Sequence, residues 1–495
     1  MSAARSMTLD RLLAGYGNAG DAGDIVVRGL ALDARSVRPG DAFVALRGAQ
    51  HHGFTFAPAA LASGASVILA ESPRIEAPAS ASMPVVWIDQ LRAHLGPIAS
   101  RFFDDPSSAL CVIGVTGTNG KTSIVQLLSQ ALTALGRRAA SIGTLGAGMY
   151  GALQQGERTT PDAIAVHGLL AAFRDSGASH VAMEVSSHAL AQGRVNGVGF
   201  DLAVFTNLTR DHLDYHGSMQ AYAAAKRGLF EVPGLDAAVI NVDDAFGREL
   251  IGAISPEVKL IRYGIDRADV EVAAFAVVPG TDGLRFRLVT PWGEGDVAVP
   301  LLGHANVSNL LAVAACLGRI GMPFDALHGA ISGLTPVVGR MNRFGGYAEL
   351  PLVVVDYAHT PDALDKALIS LRAHCSGRLV CVFGCGGERD AGKRPQMGAI
   401  AERGADCIII TDDNPRGESG DAIVADIVSG LVNPGQAQVE RDRASAIARA
   451  INMASAGDVV LVAGKGHEPY QEIAGVKRPF DDACIARSTL EARSC

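Results

Sequence analysis

Gly114-Val115-Thr116-Gly117-Thr118-Asn119-Gly120-Lys121-Thr122 is the stretch that decides how this chain folds. An apolar segment, Leu110 to Ile113, leads into it, and a helix-patterned segment, Ile124 to Leu135, follows. A strand, a Gly-rich turn and a helix N-terminus make a phosphate cradle. The turn's N–H groups and the helix dipole face the anion, the Lys adds charge, and the Thr hydroxyl can reach Mg²⁺. Gly117, Thr118, Asn119, Gly120, Lys121 and Thr122 are thus the expected phosphate-facing residues. The generic pattern asks for Gly five positions before Gly120; Val115 stands there, and Gly117 and Gly120 bracket the turn instead.

The whole chain has 495 residues, 48% hydrophobic and 19% charged, which suits a globular protein of several domains. Its formal net charge is −8 and it has no long Lys/Arg run, so a nucleic-acid partner is not expected. No apolar run approaches the roughly 18 residues that cross a bilayer. Arg5, Asp10 and Arg11 leave no room for a signal-peptide core near the start. The expectation is a cytoplasmic protein with no membrane insertion. Eight cysteines are scattered with no Cys-x-x-Cys pair, which reads as buried free thiols rather than a disulfide frame or a zinc site.

The fold class is α/β in three domains. Residues 1–107 read as a small α/β unit with strands near 41–46 and 65–70. Residues 108–338 carry the cradle and further strands at Val181–Val185, Leu202–Thr206 and Ala237–Asn241, with helical segments between. That alternation gives a mostly parallel, P-loop-type sheet. Leu284-Arg285-Phe286-Arg287-Leu288 alternates strictly and predicts an antiparallel insertion. Residues 339–495 form a Rossmann-like unit with strands at Leu352–Val355, Leu379–Phe383, Cys407–Thr411 and Val459–Ala463. Ligands of such sheets bind at the carboxyl ends of strands. The turns Asp356-Tyr357-Ala358-His359, Gly384 to Arg389, Asp412-Asp413-Asn414-Pro415-Arg416 and Gly464-Lys465-Gly466-His467-Glu468 are therefore its candidate binding loops.

Glu184 ends a strand beside the cradle, where a carboxylate can hold Mg²⁺. His212, with Asp211, belongs to a dense polar segment after another strand and can bind metal or substrate. Ser186-Ser187-His188 lacks the flanking glycines of a nucleophile elbow. Spacing alone makes Lys226 a solvated helical lysine. Asn306 and Asn309 lie three apart at a helix start and share a face, fit either for capping or for base or ribose recognition. Arg340 can reach a nucleotide phosphate.

The order of these motifs resembles the Mur ligase family of bacterial cell-wall synthesis. Gly117–Thr122, Glu184 to His188, Thr206-Asn207-Leu208, Arg210 to Gly217, Asn306 with Asn309, Gly339-Arg340-Met341 and Asp356 to Pro361 carry the resemblance across nearly the whole chain. It implies an ATP-dependent, amide-bond-forming ligase of peptidoglycan synthesis that uses Mg²⁺ and passes through an acyl phosphate. The Asp413-Asn414-Pro415-Arg416 motif is similar to the enzymes that add meso-2,6-diaminopimelate to the UDP-N-acetylmuramoyl dipeptide. Lysine-adding relatives carry another residue in place of the Arg. A guanidinium can bind the second carboxylate that lysine lacks.

The resemblance also implies residue roles. Lys121, Glu184, His212 and Lys226 are catalytic, with Thr122, Glu184, His212 and a carbamylated Lys226 around Mg²⁺. Asn306, Asn309, Arg340 and Asp356 bind ATP with the cradle. Leu32, Ala34, Ala49, Gln50, His51, Arg158, Thr159, Thr160, Ser186, Gln192 and Arg194 bind the UDP-muramoyl peptide. Arg389, Asp413, Asn414, Pro415, Arg416, Gly464 and Glu468 bind diaminopimelate. Ala34, Arg158 and Asn342 depart from the family's frequent Ser, Asn and Glu. Small-molecule substrates and a monomer are expected.

Overall fold

The computed structural model describes residues 5–48, 51–76, 84–280 and 282–494. The chain forms two compact units, residues 1–263 with 315–321, and residues 264–314 with 322–495. Among the described residues no helix is long and apolar enough to cross a membrane.

The first unit opens with a parallel four-stranded sheet, Gly29–Ala31, Asp41–Ala45, Val67–Glu71 and Val85–Ile88 in that spatial order. Its two faces differ. Val44, Val67 and Leu69 join a cluster with Leu91, Leu95 and Ile98 of the helix Leu91–Phe102, while Phe43, Ala45 and Ile68 pack with Phe54 and Ala57. The period of two along each strand produces this split.

Its larger sheet runs Lys259–Ile265, Ala237–Asn241, Leu202–Phe205, Cys111–Thr116, His180–Glu184, Ala139–Gly143, Gly146–Met149. All neighbours are parallel except the last pair, a hairpin. Such strands are buried on both faces, which explains the near-continuous apolar runs in the sequence. Cys111–Thr116 comes first in the chain yet lies in the middle, between His180–Glu184 and Leu202–Phe205. The strand order reverses there, and the crevice at the carboxyl ends of these three strands is where such sheets bind ligands.

In the second unit, Val272–Gly280, Gly283–Thr290 and Gly293–Val299 form the antiparallel meander that the alternation at 284–288 predicts. A six-stranded sheet follows in the order Asn342–Gly345, Leu352–Asp356, Val459–Ala463, Leu379–Phe383, Cys407–Ile410, Ala437–Val439. Only the first pair is antiparallel. One face carries Val354, Leu368, Phe383 and Met397; the other carries Val353, Val380, Ile447 and Ile451. The strands Lys259–Ile265, Asn342–Gly345 and Ala437–Val439 are additions to the sequence reading.

Cys316, Cys381 and Cys385 are buried free thiols as expected, but Cys111, Cys375 and Cys407 are only half-buried and Cys484 is exposed. Burial pushes the Cys381 thiol up to about 12.

Candidate active site

The cradle in the first unit is braced rather than free-standing. Gly117 has φ +145°, and a Cβ there would lie 1.8 Å from Thr206 Oγ1, so only glycine fits. Thr206 Oγ1 donates to Asn119 O at 2.6 Å, and Asn119 N donates to Asn207 Oδ1 at 3.0 Å. Thr118 N donates to Asn207 O at 2.8 Å. The loop thus takes its shape from the end of a different strand, Leu202–Phe205. The helix Lys121–Ala134 starts directly after Gly120, with Thr122 in its first turn.

Lys121 Nζ donates to Gly117 O and Thr118 O at 2.9 and 2.8 Å. Lys226 Nζ donates to the same Gly117 O at 2.7 Å and stands 4.3 Å from the centre of the Tyr222 ring. Lys226 is 1% exposed, which corrects the reading of a solvated helical lysine. Burial, then repulsion from Lys121, lowers its amine well below the ordinary lysine value. The helix Met219–Arg227 turns Tyr222, Ala223 and Lys226 inward together.

Glu184, 1% exposed, accepts from Thr122 Oγ1 at 3.0 Å and from Thr144 N at 2.7 Å. His212 has φ +52°, and its N–H donates to Asp211 Oδ1 at 2.8 Å. Its ring lies 4.8 Å from that of His188 and 6.1 Å from that of Tyr222. Burial and the two nearby lysines lower the His212 pKa, and Asp211 opposes them. Among the described residues no three His, Cys, Asp or Glu side chains converge as a self-sufficient metal site. A divalent cation here needs phosphate oxygens to complete its shell, the usual arrangement for Mg²⁺ at a phosphate loop.

A groove of about 1000 Å³ in the same unit is lined by Leu32, Ala34, Phe43, His51, Arg158 and Asp162, among others. A smaller cavity of about 150 Å³ shares Leu32, Leu46, Arg158 and Asp162 and adds Gln192 and Arg194. Arg194 donates to Thr160 O at 2.8 Å and to Gln192 Oε1 at 2.7 Å. Ser186 Oγ caps its helix by accepting from Ala189 N, and Ser186 N donates to Thr160 Oγ1 at 3.1 Å. Ala49 and Gln50 lie outside the described residues.

In the second unit the four candidate turns meet at the carboxyl ends of adjacent parallel strands. Asp356 accepts from Met341 N at 2.7 Å and from Ala358 N at 2.9 Å; burial raises its pKa, opposed by Arg340. The Arg340 guanidinium sits 4.7 Å from the Tyr357 ring centre. Gly464 N donates to Asp356 O at 3.1 Å. Asn414 is the hub: its Nδ2 donates to Glu468 Oε2 at 2.8 Å, and its Oδ1 accepts from Lys465 Nζ at 3.0 Å and Glu472 N at 2.9 Å. Asp413 is buried, and its carboxyl is pushed up by desolvation. Arg416 has φ +55° and donates to Gly387 O at 2.8 Å; its Nε lies 3.7 Å from Glu472 Oε2. Arg389 is exposed on the neighbouring turn. Asn306 Nδ2 donates to Leu302 O, just ahead of the helix His304–Arg319, and Asn309 Nδ2 donates to Asn306 Oδ1 within it.

Three family models cover these elements: the Mur ligase family catalytic domain over residues 26–103, the Mur ligase middle domain over 115–317, and the Mur ligase glutamate ligase domain over 339–466. The chain belongs to the Mur ligase family. A Xanthomonas campestris pv. campestris protein named UDP-N-acetylmuramoyl-L-alanyl-D-glutamate--2,6-diaminopimelate ligase is 55% identical over 99% of this chain and 98% of its own length. A Pseudomonas aeruginosa protein of the same name is 51% identical over 95% and 96%. A solved structure of a ligase with that name aligns at TM-score 0.75 and 37% identity, over 99% of this chain and 100% of its own.

In this Mur ligase the first unit gathers the cradle, Glu184, His212 and Lys226, and separately Leu32, Ala34, His51, Arg158, Gln192 and Arg194. The second unit gathers Arg340 with Asp356, and Asp413, Asn414 and Arg416 with Gly464 and Glu468. Sequence reasoning missed Thr144, Tyr222 and Lys465. Lys465 is fully buried, 3.1 Å from Glu468 Oε2, so a carboxylate expected to bind diaminopimelate already meets a lysine of its own turn. Its position directly after a strand was the available signal. Tyr222 stands four residues before Lys226, on the same helical face.

Proposed function

We propose that this Mur ligase joins meso-2,6-diaminopimelate to UDP-N-acetylmuramoyl-L-alanyl-D-glutamate, giving the UDP-muramoyl tripeptide, ADP and phosphate. The observation that carries this reading is full-length identity of 55% to a relative named for that reaction.

A carboxylate is a poor acyl donor. Its oxygen attacks the γ-phosphorus of ATP, ADP leaves, and the resulting acyl phosphate is attacked at carbon by an amine nitrogen of diaminopimelate. Phosphate leaves as the C–N bond forms, and the nitrogen loses a proton. Positioning and charge neutralisation are what the protein adds. Lys121 and the N–H groups of Gly117–Thr122 bind the β- and γ-phosphates. Thr122 and Glu184 would hold one Mg²⁺, and His212 with a carbamylated Lys226 a second; bound there, the cation neutralises charge on the transferring phosphoryl group. Burial lowers the Lys226 amine and so enlarges its neutral fraction, the form that adds CO₂, which supports Lys226 as the carbamate.

The groove at Leu32, Ala34 and His51 takes the uridine end, and Arg158, Thr159, Thr160, Ser186, Gln192 and Arg194 take the muramoyl peptide. Asn306, Asn309, Arg340 and Asp356 are the ATP-binding residues proposed in the second unit. Arg389, Asp413, Asn414, Pro415, Arg416, Gly464 and Glu468 hold diaminopimelate, with the Arg416 fork on its distal carboxylate. These roles follow three domains, residues 1–107 for UDP, 108–338 for ATP and 339–495 for the amino acid.

The test is ADP release with the UDP-muramoyl dipeptide and a panel of amino acids. Turnover with meso-diaminopimelate and at least tenfold lower kcat/KM with lysine is expected. Equal turnover with lysine overturns the assignment of the amino acid, and amino-acid-independent hydrolysis overturns the ligase.

A further inference from the structure

The Glu184 carboxylate is enclosed by the turn that follows the strand Ala139–Gly143. Thr144 N donates to Oε1 at 2.7 Å, while Thr144 Oγ1 and Thr122 Oγ1 lie 3.3 and 3.0 Å from Oε2. The approach is close enough that a Cβ on Gly143 would stand 2.3 Å from Oε1. On its other side Thr144 Oγ1 is 3.1 Å from Thr159 Oγ1. The next residue, Thr160, donates to Glu184 O at 2.8 Å. A half-exposed hydroxyl, Thr159, is therefore two hydrogen bonds from a buried carboxylate.

A hydroxyl has one proton and two lone pairs. While Thr144 donates its one proton to Glu184, it can meet Thr159 only as an acceptor of the Thr159 proton. An anion that accepts the Thr159 proton leaves the two hydroxyl oxygens 3.1 Å apart with no proton between them unless Thr144 turns its own proton to Thr159; Glu184 Oε2 then loses that donor, and the lone pair it held faces a cation.

We propose that Thr144 is a positioning residue that couples a carboxylate-bearing ligand at Thr159 to cation binding at Glu184. The proposal rests on the ligase reading above for the identity of that ligand. Peptide binding would prime the metal carboxylate, so the phosphate loop is completed when an acceptor is present. Such coupling is reciprocal.

The experiment is calorimetric titration of ADP·Mg²⁺ with and without saturating UDP-N-acetylmuramoyl-L-alanyl-D-glutamate, with circular dichroism as a folding control. The wild-type chain is expected to bind ADP·Mg²⁺ at least fivefold tighter with the dipeptide. Thr144→Val is expected to bind it equally tightly with and without dipeptide, because Glu184 Oε2 is already released. Thr144→Ser, which keeps the hydroxyl, is expected to restore at least half the coupling on a logarithmic scale. Coupling of wild-type size in Thr144→Val, or a Thr144→Ser variant as uncoupled as Thr144→Val, overturns the proposal. Failure of the wild-type chain to bind the dipeptide at all overturns the ligase reading with it; binding without Thr144-dependent coupling overturns this proposal alone.

Discussion

Lys121 and Lys226 aim their side-chain nitrogens at one carbonyl oxygen, that of Gly117, at 2.9 and 2.7 Å. Two ammonium groups on one acceptor repel each other, and the buried one yields. The folded chain therefore lowers the Lys226 amine below its ordinary value, through burial first and Lys121 second. In the unfolded chain it keeps its ordinary value, about 10.4. Between the lowered folded value and that unfolded value, the unfolded state binds a proton the folded state does not. Unfolding free energy thus rises with pH across that window. Lys226→Met is expected to flatten this slope, to stabilise the chain at neutral pH because the desolvation cost of a buried amine is removed, and to abolish ligation. Melting temperatures of both proteins across the alkaline range measure it; parallel slopes would reject a lowered Lys226 amine.

Arg416 holds left-handed backbone geometry and anchors to Gly387 O on the next turn. Its backbone N–H also donates to Glu472 O at 3.0 Å. The guanidinium is aimed by its surroundings rather than by its own rotamers. Arg416→Ala is expected to raise the KM for diaminopimelate at least tenfold, about 1.4 kcal/mol or more, while the KM for ATP stays within twofold. Arg416→Lys keeps the charge but loses the fork and should recover little. Steady-state kinetics in both substrates decide this, and an unchanged diaminopimelate KM removes Arg416 from the site.

Arg443 and Asp482 form a bidentate pair at 2.7 and 2.7 Å, both fully buried. Arg443 also donates to Ala463 O at 3.0 Å, just before the Gly464 turn. Removing one partner leaves a buried charge unpaired. Asp482→Ala is expected to destabilise the second unit by about 3–5 kcal/mol. The double substitution Arg443→Met with Asp482→Leu should return most of that loss, because the desolvation cost disappears with the charges. Urea denaturation of the three proteins tests both statements.

The cradle was legible because its signal is local: strand, turn and helix follow one another within twenty-five residues. The four turns of the second unit were legible for the same reason, each sitting directly after an apolar strand. Lys226 was misread because helical period says which residues share a face and not which face is buried. Thr144 was invisible because Thr159 is brought to it by the return of the chain after the hairpin Ala139–Gly143 to Gly146–Met149, and Glu184 by the crossover to the parallel strand His180–Glu184. Lys465 was passed over because the neighbouring Glu468 was assigned to the substrate, and only the folded turn reveals that the two residues satisfy each other.

The central place of Cys111–Thr116 in its sheet has a consequence for biosynthesis. This strand leaves the ribosome before either neighbour, yet the phosphate loop at its end takes its shape from Thr206 and Asn207, about ninety residues later. A nascent chain carrying the motif alone has no brace for Gly117 and no Glu184 beside Thr122. Nucleotide binding is thereby withheld from incomplete chains. Once the sheet closes, nucleotide stabilises the finished form by mass action, so ligand occupancy acts as a quality check on assembly of the first unit.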